Sequence, residues 1–152
     1  MQITLAHIGS APRSQDAYEG SVHDYLKRCV GVAHCGTEAF RNETAFFDWI
    51  GRQKARTEPV VMVLDGRGRQ MSSETVADWL GCRRDEGTQL VVFAIGPADG
   101  WSDEARAEAK RRSRLLSLGP MTLAHQLARL VMAEQIYRAC TILTGHPYHK
   151  GH

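Results

Sequence analysis

The chain has 152 residues, 43% of them hydrophobic and 24% charged, a balance that predicts a single globular domain over residues 1–152, large enough to bury a core without staples. No apolar run is long enough to span a bilayer, and residues 1–10 lack the basic flank and apolar core of a signal peptide, so a cytoplasmic protein with no membrane partner is expected. The net charge of +2 hides a segregation: from Arg106 to Lys150 eight basic residues stand against two acidic ones, which fits a polyanionic partner and equally a solvated basic helix face.

Residues 2–8, with β-branched Ile3, Thr4 and Ile8, predict a first strand closed by Gly9. Residues 14–29 carry Tyr18, Val22, Tyr25, Leu26 and Cys29 at helical spacing, and residues 30–40 form a second strand weakened by Gly31 and Gly36. Asn42 can cap a helix bearing Phe46, Phe47, Trp49 and Ile50 that stops before Pro59. The run Val60-Val-Met-Val-Leu64 is a buried strand, followed by a tight loop, Asp65-Gly-Arg-Gly68. Ser72 or Ser73 then caps a helix with Val76, Trp79 and Leu80 facing inward.

Residues 89–95 are another buried strand, broken by Gly96-Pro-Ala-Asp-Gly100. Ser102 caps a helix that begins with Asp103 and Glu104 and closes on the basic stretch 110–114. A short strand over residues 114–118 breaks at Gly119-Pro120, and a long final helix is expected from about Thr122 to Thr144, stopped by Gly145, His146 and Pro147. That helix is apolar on more than one face, so one side should meet the sheet and another a second copy of the chain. Strand and helix alternate throughout, which predicts an α/β fold with a mostly parallel sheet and helices on both faces.

Three buried strands therefore end in three loops rich in Gly and Pro, at residues 64–68, 95–100 and 118–121. Side by side they would form one ligand cleft beyond the strand ends; singly, each would read as an ordinary turn. None is a G-x-x-x-x-G-K-[ST] or G-x-G-x-x-G loop, and H-E-x-x-H and G-x-S-x-G are also absent. Nucleoside triphosphate hydrolysis, the usual dinucleotide site, zinc hydrolysis and serine acyl transfer thus lack support. The four cysteines (Cys29, Cys35, Cys82, Cys140) have no C-x-x-C spacing, and Cys29, His34 and Cys35 match no structural zinc pattern, so reduced thiols and no metal are expected.

His125 stands beside the third loop, where a structural or a catalytic histidine would both fit, and Arg129 shares its helix face. Glu134 and Arg138 are spaced for an ion pair. Tyr148, His149 and Lys150 join an aromatic surface to two potential cations, suited to stacking on a base and holding a phosphate, or to an ordinary terminus.

The strings S-L-G-P-M-T-L-A-H-Q-L-A-R-L, E-Q-I-Y-R-A and H-P-Y-H-K, with L-D-G-R-G-x-x-x-S-S-E and F-A-I-G-P-A-D-G before them, resemble the RlmH type of the SPOUT methyltransferase superfamily over essentially the whole chain. The resemblance implies a C-terminal trefoil knot, a homodimer, and transfer of a methyl group from S-adenosylmethionine to N3 of a pseudouridine in large-subunit ribosomal RNA, on the assembled 70S ribosome. It places cofactor contacts on Leu64, Gly96, Leu118, Gly119, Pro120, Met121, Thr122 and Leu123, which fall in the same three loops. A sulfonium cofactor without phosphate suits loops that carry no phosphate-binding lysine.

For the proton that the imide nitrogen must lose, His149 and His125 are the candidate catalytic groups, with Arg129, Arg138, Tyr148 and Lys150 on the RNA side. The chain departs from the family pattern at Gly96-Pro97, where two glycines are usual, at Ala124, where a proline commonly precedes the histidine, and in a shorter connection over residues 31–58. Two alternatives follow from these departures and from the superfamily: a non-catalytic ribosome-binding dimer with a degenerate cofactor cleft, or a methyltransferase acting on transfer RNA.

Overall fold

The computed structural model describes residues 1–29, 31–53, 56–112 and 114–151. Five strands, β1 (Gln2–Ile8), β2 (His34–Phe40), β3 (Val60–Gln70), β4 (Leu90–Ile95) and β5 (Arg114–Ser117), alternate with five helices, α1 (Glu19–Lys27), α2 (Glu43–Arg52), α3 (Ser73–Asp85), α4 (Asp103–Arg112) and α5 (His125–Thr144). The strands form one sheet in the order β2-β1-β4-β3-β5, and every neighbouring pair is parallel. This is the expected α/β architecture.

The pleat sorts each strand between two cores. Ile3, Leu5, Met62, Val91, Phe93 and Leu116 face α1, α3 and α5, while Val61, Val63, Val92, Ala94 and Leu115 face α2 and α4. All six residues of β4 are buried, each large apolar side chain among them contributing about 1.5–3 kcal/mol by leaving water. Helices therefore cover both faces, and α5, which packs against α1 and α3, closes the first core with Met132, Ile136 and Cys140.

Local signals for helix ends act as expected. The Asn42 carboxamide accepts from the Ala45 amide at 2.8 Å, Ser72 from Thr75 at 3.1 Å and Ser102 from Ala105 at 3.1 Å. Gly145 ends α5 in the left-handed conformation (φ 71°), and the His146 amide returns to the Thr141 carbonyl at 2.9 Å.

Several boundaries differ from expectation. Helix α1 begins at Glu19 rather than near Ser14, because residues 13–19 are engaged in turns: the Asp16 carboxylate accepts from the Arg13 amide at 2.7 Å, and the Glu19 amide donates to the Asp16 carbonyl at 3.1 Å. Val30, where the second strand was expected to begin, and Ser113, within the basic stretch, lie outside the described residues; β2 itself starts at His34. Helix α5 starts at His125, three residues later than expected, since Ala124 is extended (ψ 144°) and provides no side-chain cap.

The loop expected at residues 65–68 is a correction of another kind. β3 runs on to Gln70, and both Leu64 and Arg69 stand in register with Leu116, so the intervening residues bulge out of the ladder. Gly68 is pressed onto β5: a Cβ there would lie 2.6 Å from the Leu115 carbonyl carbon.

Candidate active site

Because β4, β3 and β5 are neighbours in a parallel sheet, their carboxyl ends lie side by side, and so do the three segments that leave them. These segments enclose a cleft of about 400 Å³ whose wall includes Leu64, Gly96, Leu118, Gly119, Pro120, Met121, Thr122, Leu123 and His125. Asp65 of the first expected loop belongs to the same wall, as do Trp101 and Arg106, which sequence reasoning did not anticipate.

Trp101 connects two of the loops. Its buried indole N–H donates to the Leu64 carbonyl at 2.9 Å, satisfying a strand-end acceptor, and its ring lies over Gly96. A Cβ on residue 96 would come within 2.5 Å of the indole nitrogen, so the absence of a side chain there is a packing requirement. The only local hint was a tryptophan directly after the Gly-rich run.

The first segment is tied down by Asp65, which accepts from the Arg67 amide at 2.8 Å and from the Arg106 guanidinium at 2.7 Å. Burial alone would raise the Asp65 carboxyl; the amide and Arg106 outweigh it and hold the group below its usual range. The third segment turns on Ser117, whose hydroxyl accepts from the Gly119 amide at 3.1 Å, with Gly119 at φ 124°. Met121 is 80% exposed and Leu118 36%, so apolar surface stands open at the cleft mouth. No lysine lines the cleft among the described residues.

His125 is half-buried, against the carbonyls of Gly96 and Ile8, with its ring edge-on to the buried His7 at 5.4 Å. Burial first, then the positive charge of Arg129, lowers its pKa and favours neutral imidazole. Its Nε2 has no hydrogen-bond partner.

The other residues singled out in the sequence lie elsewhere. Arg129 was expected to hold RNA phosphates; it is instead fully buried and donates to the Glu19 carboxylate of α1 at 2.6 Å, so it presents no charge to a polyanion. Arg138 makes the anticipated pair with Glu134 at 2.6 Å. Its guanidinium lies 4.9 Å from the Tyr148 ring centroid, and Tyr148 donates to the same Glu134 carboxylate at 2.9 Å.

His149 contacts Glu74 of α3 at 3.0 Å and is not among the cleft-lining residues of its own subunit. Residues 147–151 form a 3-10 turn docked on α5 rather than a frayed end, and Lys150 is exposed on it. The structure thus gathers the loop residues and His125 in one place and sets the tail apart.

A parallel α/β sheet with three Gly-containing segments and His125 at one edge defines a ligand-binding site of backbone and apolar groups flanked by the charged side chains Asp65, Arg67 and Arg106. The chain belongs to the SPOUT methyltransferase family: residues 1–149 match the family model described as predicted SPOUT methyltransferase. A protein of Koribacter versatilis named ribosomal RNA large subunit methyltransferase H is 44% identical over the full length of both chains. A protein of the same name from Geotalea daltonii is 38% identical, with 90% of this chain and 88% of that one covered. Among solved structures, the SpoU methyltransferase AviRb of Streptomyces viridochromogenes, in complex with AdoMet, has a similar fold (TM-score 0.52, 15% identity); the match covers 95% of this chain and 58% of that one.

Proposed function

We propose that the chain is an S-adenosylmethionine-dependent methyltransferase that modifies N3 of a pseudouridine in large-subunit ribosomal RNA, on the assembled 70S ribosome. The observation that carries this reading is the cleft: three adjoining strand-end segments, apolar at the mouth, whose two arginines, Arg67 and Arg106, are paired with Asp103 and Asp65. Full-length relatives named as large-subunit ribosomal RNA methyltransferases support the substrate class.

The cleft suits the cofactor on two grounds. Its volume of about 400 Å³ lies within the range of small-molecule sites, and Gly96 leaves backbone uncovered beside the Trp101 indole. Leu64, Gly96 and residues 118–123 would hold it through backbone groups and apolar side chains. When bound, it supplies an electrophilic methyl group on a sulfonium.

The chain's residues then have to position the acceptor and take up its proton. His125, which lines the cleft and whose lowered pKa favours the neutral imidazole, is the first candidate to accept the imide proton. His149 is the second candidate, and its place outside its own subunit's cleft means that it would act in the site of a twin subunit. Homodimerisation through the partly exposed apolar residues of α5, such as Leu127, Leu130 and Val131, one domain over residues 1–152, and a trefoil knot near the C-terminus are parts of the same proposal. Tyr148, Arg138 and Lys150 would meet the RNA.

The test is methyl transfer from labelled S-adenosylmethionine to purified ribosomes, to free ribosomal RNA and to transfer RNA, with mass spectrometry of the product nucleoside. N3-methylpseudouridine formed on ribosomes is expected. Labelling of transfer RNA alone would replace this reading with the transfer RNA alternative. Absence of cofactor binding by calorimetry would replace it with a non-catalytic ribosome-binding dimer.

A further inference from the structure

Asp65, Arg67 and Arg106 all stand in the wall of the cleft, but they are not equally engaged. Asp65 accepts from Arg106 at 2.7 Å, with the two side chains 7% and 18% exposed, and Arg106 donates to Asp103 at 2.8 Å as well. Arg67 differs. Its guanidinium makes no hydrogen bond among the described residues, and its ion pair with Asp103 spans 3.9 Å between side chains that are 70% and 90% exposed. A pair so long and so open to water contributes little and is readily exchanged for another anion.

The backbone beneath this side chain is nevertheless fixed. The Arg67 amide donates to the Asp65 carboxylate at 2.8 Å, and the next residue, Gly68, is pressed against β5. Gly66, on the other side, has open space where a Cβ would stand, so nothing there restricts the guanidinium. The bulge in β3 thus holds one cation at the cleft on an anchored Cα, with its charged end free to turn. Such an arrangement costs little ordering when a ligand group replaces Asp103.

We propose that Arg67 determines specificity for the amino-acid end of the cofactor, its guanidinium leaving Asp103 to pair with the ligand's carboxylate. The inference rests on the reading of the cleft as an S-adenosylmethionine site. At neutral pH that ligand carries positive charge on its sulfonium and its ammonium, and negative charge on its carboxylate alone. A cation in the wall therefore attracts the carboxylate and repels the sulfonium. Leu64, Ile95, Leu116 and Leu123 supply the apolar surface suited to the adenosyl portion. Arg67 would then fix which end of the ligand lies at the bulge. A guanidinium can also hold a carboxylate through two parallel hydrogen bonds, a geometry that an ammonium does not reproduce.

The experiment is calorimetry on the full chain, titrated with S-adenosylmethionine and, separately, with its decarboxylated form, which keeps the adenosyl, sulfonium and ammonium groups. The unsubstituted protein should bind S-adenosylmethionine about tenfold more tightly, the worth of a hydrogen-bonded charge pair. Arg67→Met should abolish that preference by weakening S-adenosylmethionine while the decarboxylated ligand binds as before or more tightly. Arg67→Lys should keep part of the preference. Undiminished binding of the decarboxylated ligand also shows that the variant's cleft is intact. Equal weakening of both ligands in Arg67→Met would overturn the proposal, because the role would then be structural. Unchanged affinity for both ligands would overturn it too, and a simultaneous loss of affinity for ribosomes would assign Arg67 to RNA phosphate instead. If the unsubstituted protein bound both ligands equally, this inference alone would fall; if it bound neither, the cofactor reading would fall with it.

Discussion

The fully buried guanidinium of Arg129 donates to the Glu19 carboxylate at 2.6 Å, so the helix that begins at the cleft is tied by a charge pair to the first helix of the chain. Arg129 Nε and Nη2 have no further partner in the protein, which leaves Glu19 as its counter-charge. Removing that carboxylate alone strands a buried cation. Glu19→Gln should cost about 3–5 kcal/mol of stability in urea denaturation, and Glu19→Gln combined with Arg129→Met should cost less than Glu19→Gln alone. A double variant as unstable as the sum of its parts would contradict this.

The same carboxylate sets one acid limit. Burial would raise the Glu19 pKa, but the hydrogen bond and charge of Arg129 outweigh it and the value lies below the ordinary 4.5. Its contribution is therefore present above pH 4.5 and is lost as the pH falls through the lowered value. A second limit lies higher. Burial lowers His7 and His125 from 6.5, so below that pH the unfolded chain binds more protons than the folded one, and stability declines on acidification. Thermal denaturation between pH 7 and pH 5 should show a fall in Tm, and His7→Gln should flatten it. An unchanged slope in that variant would remove His7 from the account.

Gly96 and Gly68 are both positions that admit no side chain, for different reasons. Gly96→Ala drives a methyl into the Trp101 indole and disturbs its hydrogen bond to Leu64, which separates two walls of the cleft. Affinity for S-adenosylmethionine, measured by calorimetry, should drop by about tenfold or more, a loss of roughly 1.4 kcal/mol. Gly68→Ala meets backbone of β5, which cannot rotate away, and should instead destabilise the fold by about 1–3 kcal/mol or more.

The position of His149 separates binding from turnover. Because it contacts Glu74 and not its own cleft, His149→Ala should leave cofactor affinity unchanged. If it takes the proton in a twin subunit's site, methylation of ribosomes should fall by about a hundredfold or more. Full turnover in this variant would leave His125 as the remaining histidine for that task.

Tyr148 offers a readout of tail docking. Burial and then the Glu134 carboxylate raise its phenol above the ordinary value, and its ring lies 4.7 Å from that of Tyr137. Tyr148→Ala should free the tail, seen as faster proteolysis after residue 145 with little change in global stability. Equal protection in the variant would show that the remaining contacts hold the tail.

Much of the scaffold was legible in the chain. The apolar runs at 60–64 and 90–95, the caps Asn42, Ser72 and Ser102, and the stop at Gly145 are local, and each acts through groups a few residues away. The loops after β4 and β5 could likewise be read from glycine and proline punctuation, whereas the loop expected at residues 65–68 is a bulge within β3. The starts of α1 and α5 were misjudged because competing turns at residues 13–19 and an extended Ala124 leave the helical apolar spacing intact.

What the amino-acid order determined by itself was therefore the set of elements and the kinds of loop between them, since propensity, pleat and capping depend on near neighbours. Only the tertiary structure decided that β4, β3 and β5 stand together so that their loops share one cleft, that Trp101 closes on Gly96, and that the tail rests on α3 and α5. It also decided that Arg129, charged and spaced like a surface residue, lies inside against Glu19. Strand order and burial arise from contacts between residues a hundred positions apart, and a one-dimensional pattern does not record which distant surface will cover a given side chain.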